Sequence, residues 1–233
     1  MSKGKNENPL LSLLTSIIIP AVILSKFANE EYLGVVPGFI IALAFPVGQG
    51  LYEIIKTRKP GFISIIGLAS IFLTGIIGIL QLPTEWLAFK EASVPLLIGM
   101  AVVLSLKTRY PLVKKLFFND SLLDMERIGK ILDEKNARGA MEKTLKISTY
   151  MIGGSFLLSA VLNFILAKVI VTSPSGTEAF NAELGRLTAL SYPVIALPST
   201  IVMCVALWYL FAKLKKLTGL EFEALIAPEL REK

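Results

Sequence analysis

Apolar stretches of about 20 residues, separated by short clusters of Lys and Arg, recur along this 233-residue chain. A helix rises 1.5 Å per residue, so such a stretch matches a hydrocarbon core of about 30 Å. Six stretches read as membrane spans: Pro9 to about Ser25, Gly34 to Ile55, Phe62 to Leu82, Leu87 to Leu106, Ile147 to Ala167, and Thr188 to Phe211. Mean hydropathy is +0.66 and only 18% of residues are charged, against about 25% for soluble domains. The expected fold is an all-α membrane protein with about six transmembrane helices, forming one polytopic domain over residues 1–233. The first stretch resembles a signal peptide, but no small-residue cleavage site follows it, so it is read as a retained helix. Prolines 20, 46, 95, 193 and 198 fall inside the spans, where kinks are expected.

Lys and Arg set the orientation. With the N-terminus inside, two basic residues precede span one, three follow span two, ten separate spans four and five, and five close the chain. Of the 24, only Lys26, Lys90, Lys168 and Arg186 fall outside. This asymmetry places both termini in the cytoplasm. The net charge of +6 is thereby read as a topology signal and a set of anionic-lipid contacts, with no nucleic acid as partner.

The chain has no His and three Asp, at 120, 124 and 133. Imidazole acid–base chemistry and Ser-His-Asp or Cys-His sites are excluded, and zinc ligation nearly so. No catalytic residue, metal ligand or cofactor is assigned, and the chain is not read as an enzyme. Cys204, the single cysteine, lies in an apolar run and reads as a core residue.

Between spans four and five, residues 119–146 form a polar segment. Leu122, Met125, Ile128 and Leu132 recur at helical spacing, with Asp120 or Ser121 placed to cap the start. An amphipathic cytoplasmic helix is expected, lying on the membrane surface or docking a partner. Asn136 and Gly139 mark a break before span five. The strings Lys56-Thr57-Arg58-Lys59-Pro60 and Lys107-Thr108-Arg109-Tyr110-Pro111 close two inner helix ends. Ser70, Thr74, Gly75 and Gly78 match Ser155, Ser159, Ala160 and Asn163 in spacing. Three tandem helical hairpins would produce this, and so would ordinary close helix contacts in lipid.

Charge at membrane depth carries the functional signal. Counting about 20 residues outward from Lys107 puts the outer boundary near Leu87, so Lys90 and Glu91 lie roughly one turn inside. Lysine can snorkel to water; glutamate is shorter and reaches it less easily. Asn163, just over one turn inside Lys168, together with Arg186 and Gln49, completes a candidate substrate-binding set that can line an outward-opening polar cavity for a small anionic solute or ion. Glu183 and Arg186, three apart, can pair on one helix face. The competing explanation is that tilted helices leave all of these charges at the headgroups. Glu53 reads as an interfacial partner of Lys56, and Trp86, Trp208 and Tyr209 as interface anchors.

The strings Asn8-Pro-Leu-Leu-Ser-Leu-Leu14, Leu104-Ser-Leu-Lys-Thr-Arg-Tyr-Pro-Leu-Val113, Gly154-Ser-Phe-Leu-Leu-Ser-Ala-Val-Leu-Asn-Phe164 and Gly176-Thr-Glu-Ala-Phe-Asn-Ala-Glu-Leu-Gly-Arg186 resemble an uncharacterised bacterial family of six-span inner-membrane proteins over nearly the whole chain. More distantly, the order of features is similar to the intracellular septation protein A family: Phe89-Lys90 before a helix bearing Pro95, a basic inner loop, then Leu162-Asn163. The resemblance implies a bacterial inner-membrane location and a tie to envelope or division machinery, and supplies no active residues. Two functions follow as expectations: small-solute or ion transport or binding through the polar cavity, and a non-catalytic scaffold of the envelope or septation machinery, with a homo-oligomer or an envelope protein as partner.

Overall fold

A computed structural model describes residues 14–57, 62–109 and 111–227. The start of the first expected span, the Arg58-Lys59-Pro60 part of the repeated string, Tyr110, the final basic residues and the Glu53 side chain lie outside the described set. All regular secondary structure in that set is helical. Helix α1 covers 14–27 and mixes α- and π-helical turns. It is followed by α2 (Val35–Thr57), α3 (Phe62–Ile79), α4 (Glu85–Leu104), α5 (Leu112–Phe117), α6 (Met125–Glu134), α7 (Arg138–Ile170), α8 (Glu178–Ser191), α9 (Leu197–Thr218) and α10 (Phe222–Leu225). A 3-10 turn, Ser105–Lys107, prolongs α4, and a π-helical turn, Tyr192–Ala196, joins α8 to α9 without a break.

Among the described residues, four helices are long and apolar enough to cross a membrane: Val35–Tyr52, Glu85–Lys107, Arg138–Ile170 and Glu178–Thr218. A shorter apolar run, Leu68–Ile79, lies in α3. These helices display large apolar side chains outward, among them Ile55 at 74%, Val169 at 67% and Trp208 at 71% exposure. Apolar surface on this scale needs lipid or protein to cover it. Cys204, expected in a core, is exposed as well. It lies on an outward apolar face of α9, because a single small residue in an apolar run does not reveal which side of the helix it takes.

The helix ends follow local chemistry. Asp124 caps α6, its carboxylate accepting the Arg127 N–H at 3.1 Å, so the cap lies beyond the expected Asp120 or Ser121. Thr177 caps α8 by accepting the Phe180 N–H. Asn136, with φ +49°, supplies the expected break. Gly139 does not break anything. It lies inside α7, which starts at Arg138 and so runs from the polar segment straight into the expected fifth span.

The chain divides into two compact units. The first comprises 1–94 and 160–196. Its core gathers Leu24, Phe39, Ala42, Ile77, Leu87, Ala167, Phe180 and Leu184. Here α8 lies tightly against α1: a Cβ on Gly185 would come within 2.7 Å of the Ala21 carbonyl oxygen. Asn181 is 1% exposed and donates through Nδ2 to the carbonyls of Ala28 (3.2 Å) and Val35 (2.8 Å), closing the loop between α1 and α2.

The second unit comprises 95–159 and 197–233. Its core contains Val102, Val113, Phe118, Ile128, Leu132, Met141, Leu210, Leu214 and Leu225. Ile128 and Leu132, the apolar side of α6, are buried there against the chain's own residues. That packing corrects the expectation of a helix lying on the membrane surface, since only its polar side remains free. The C-terminal segment completes the cover. Asp124 N–H donates to Leu225 O and Ala227 N–H to Leu122 O, each at 3.0 Å. Lys135 Nζ donates to Thr218 O at 2.8 Å, satisfying a carbonyl at the C-terminal end of α9.

Candidate functional site

The first unit holds a charged pair within an apolar helix. Lys90 and Glu91 occupy the second turn of α4, about 7.5–9 Å along the axis from Glu85. The Lys90 side chain is only 8% exposed, and that of Glu91 is 28% exposed. Lys90 Nζ donates to Glu91 Oε1 at 2.6 Å and to Thr74 Oγ1 of α3 at 2.7 Å. Thr74 in turn donates to the Ser70 carbonyl at 3.1 Å. A polar chain therefore runs from a carboxylate through an ammonium and a hydroxyl to a helix backbone.

The burial has a local cause. Leu87 and Ala88 are fully buried in the core of the unit, which turns the adjacent Lys90 stem inward rather than toward the helix end. Phe89 meets Phe164 edge to face at 5.3 Å, setting α4 against the stretch of α7 that carries Asn163. Four residues beyond Glu91 comes Pro95, which has no N–H. The Glu91 carbonyl thus loses its helical donor. Two of the three Lys90 donors have partners among the described residues, and one Glu91 carboxylate oxygen is engaged. A Lys90 donor and a Glu91 carboxylate oxygen beyond these bonds lie in one turn beside a carbonyl that lacks its i+4 donor, a combination suited to a small polar or ionic guest.

Of the five residues expected to line a cavity, Lys90 and Glu91 are brought together directly. Asn163 and Gln49 are half-buried, and each is engaged in an interaction of its own. Arg186 is exposed on α8. Its expected partner, Glu183, is held elsewhere. The carboxylate accepts the Thr172 and Ser173 N–H groups, each at 2.9 Å, and the Ser173 hydroxyl at 2.8 Å. Two backbone donors and a hydroxyl outcompete one flexible guanidinium. A small recess in the same unit is lined by Val35, Phe39, Gly78, Gly176 and Asn181, among others, and does not include the Lys90–Glu91 pair.

Sequence reasoning missed Thr74 as the acceptor for Lys90 and Asn181 as the clasp of the α1–α2 loop. Thr74 had registered only as one of a row of small residues, and an acceptor on a neighbouring helix is visible only once the helices are placed. Among the described residues no cluster of three or more potential ligands could hold a metal ion. Comparison of the chain with family models, with curated proteins and with solved structures finds no match.

Proposed function

We propose that this chain is a six-span inner-membrane protein that binds or passes a small solute or ion at a polar site built on Lys90 and Glu91. The observation that carries the reading is the burial of the Lys90 ammonium between Glu91 and Thr74. An ionisable pair inside a spanning helix is costly to bury and marks a substrate, ion or proton path. Lys90 provides the attraction for an anionic group, and Glu91 the counter-charge or proton carrier. Asn163, Gln49 and Arg186 are assigned to the lining of the same polar cavity. The distribution of Lys and Arg supports cytoplasmic termini. The two spans beyond the four long apolar helices are assigned to α1 and α3.

The test is electrical. Purified protein in liposomes on a solid-supported membrane is exposed to steps of pH, chloride and acetate. Wild-type protein is expected to give a transient current for at least one probe, and Lys90→Gln and Glu91→Gln to lose it while remaining monodisperse in detergent. Equal currents in wild type and both variants, or no current above empty liposomes for any probe, contradict the proposal.

The alternative is a non-transporting envelope scaffold whose contact surface is the exposed charged side of α6, where Glu126, Arg127 and Lys130 project. Reversing those three charges would then abolish co-purification of its partners. An unchanged set of partners counts against it.

A further inference from the structure

We propose that the turn joining α4 to α5 is a docking surface for anionic phospholipid headgroups. Lys107, Arg109, Lys114 and Lys115 are all exposed, and no acidic residue lies between Glu91 and Asp120. None of the four enters an ion pair among the described residues. Three other exposed cations of the same unit do pair, Lys130 with Glu126, Arg138 with Asp133 and Lys215 with Glu221. The turn therefore displays four uncompensated positive charges within nine residues.

The backbone on both sides of the turn is tied down. The Ser105 hydroxyl, buried at 6% exposure, donates to the Val102 carbonyl at 2.6 Å and accepts the Leu112 N–H at 2.9 Å. Thr108 closes back on the Ser105 carbonyl through its hydroxyl (2.7 Å) and its N–H (3.0 Å). Val113, 2% exposed, anchors α5 in the core of the unit. An ordered backbone beneath the cations lowers the entropy forfeited on meeting a polyanionic surface.

Phosphate chemistry alone would fit either a lipid headgroup or a soluble phosphate. Two features favour the lipid. Lys107 closes an apolar 23-residue helix, which places the turn where hydrocarbon gives way to headgroups. Leu116 stands 59% exposed beside Lys115 and can cover acyl chain while the ammonium groups meet phosphate. The inference rests on the membrane placement of α4. It is independent of the transport reading, because the turn holds neither Lys90 nor Glu91.

The full-length protein, purified in detergent with equimolar phosphatidylglycerol and phosphatidylcholine, is examined by native mass spectrometry for retained lipid. Wild type is expected to retain phosphatidylglycerol preferentially, and Lys114→Gln/Lys115→Gln to lower that preference by roughly an order of magnitude. Lys130→Gln, on α6, should leave it unchanged. Retained preference in the double variant, or equal retention of both lipids by wild type, overturns the proposal. Complete displacement of phosphatidylglycerol by millimolar inorganic phosphate also overturns it, assigning the turn to a soluble anion. Currents carried through Lys90 and Glu91 should be unaffected by the double substitution, so the two readings fail separately.

Discussion

A lysine side chain 8% exposed must find acceptors for its ammonium or lose its charge, and Lys90 finds two. Removing one partner of such a pair strands the other charge in a medium that solvates it poorly; removing both does not. Lys90→Met is therefore expected to destabilise the protein by about 3–5 kcal/mol, and Lys90→Met/Glu91→Met to restore most of that loss. Denaturant titration of the purified variants in mixed micelles measures both. A Lys90→Met variant as stable as wild type would mean that the pair is solvated. The place of Lys90 within an apolar helix was legible in the sequence, because it needs only a count along one helix from Lys107. The pairing with Thr74 and the capture of Glu183 by Thr172 and Ser173 were not. Each is a competition among donors and acceptors settled by segments distant along the chain.

Helix contact in this protein is governed by which glycine faces a neighbour. Gly153 and Gly154 are adjacent in α7 and opposite in environment. A Cβ on Gly153 would lie 2.4 Å from a Val103 methyl of α4, whereas one on Gly154 would meet nothing within 4 Å. Gly99 of α4 completes the contact, its would-be Cβ 3.2 Å from the Gly153 carbonyl oxygen. Gly153→Leu is expected to cost about 1–3 kcal/mol through overpacking, and Gly154→Ala close to nothing. Thermal unfolding of the two variants in the same detergent separates them, and equal midpoints would contradict the assigned facing. A row of small residues was readable in the sequence as a sign of close helix approach. Which member meets which helix was not, since Gly78 packs on Phe39 of α2 in a different unit. Helix α6 teaches the same lesson. Its apolar period was plain, but nothing local to it revealed that Leu225 and the C-terminal segment share the core that covers it.

At the scale of the molecule, four helices among the described residues are long and apolar enough to cross a membrane, Val35–Tyr52, Glu85–Lys107, Arg138–Ile170 and Glu178–Thr218. The bounds of the last three reach past the spans read from hydropathy because polar ends continue the same hydrogen-bonded ladder. Helix α7 starts at Arg138, nine residues before Ile147; a helix does not stop where the membrane does. The proposed six crossings, with both ends inside, predict a definite pattern of reporter activity. Alkaline phosphatase fused within 172–177 should be active, and a fluorescent protein fused after residue 227 should glow. The reverse pattern would invert the topology and move Lys90 to the cytoplasmic side. The central claim, a water-accessible polar site at membrane depth, is tested most directly by thiol access along α3 in a Cys204→Ala background. Thr74 contacts Lys90, while Phe72, half a turn away, is 56% exposed on an apolar face. Thr74→Cys is predicted to react with a charged methanethiosulfonate added from outside, and Phe72→Cys to resist it. If both thiols react, the residues sit in headgroup water; if neither does, the pair is sealed. Either result contradicts the account.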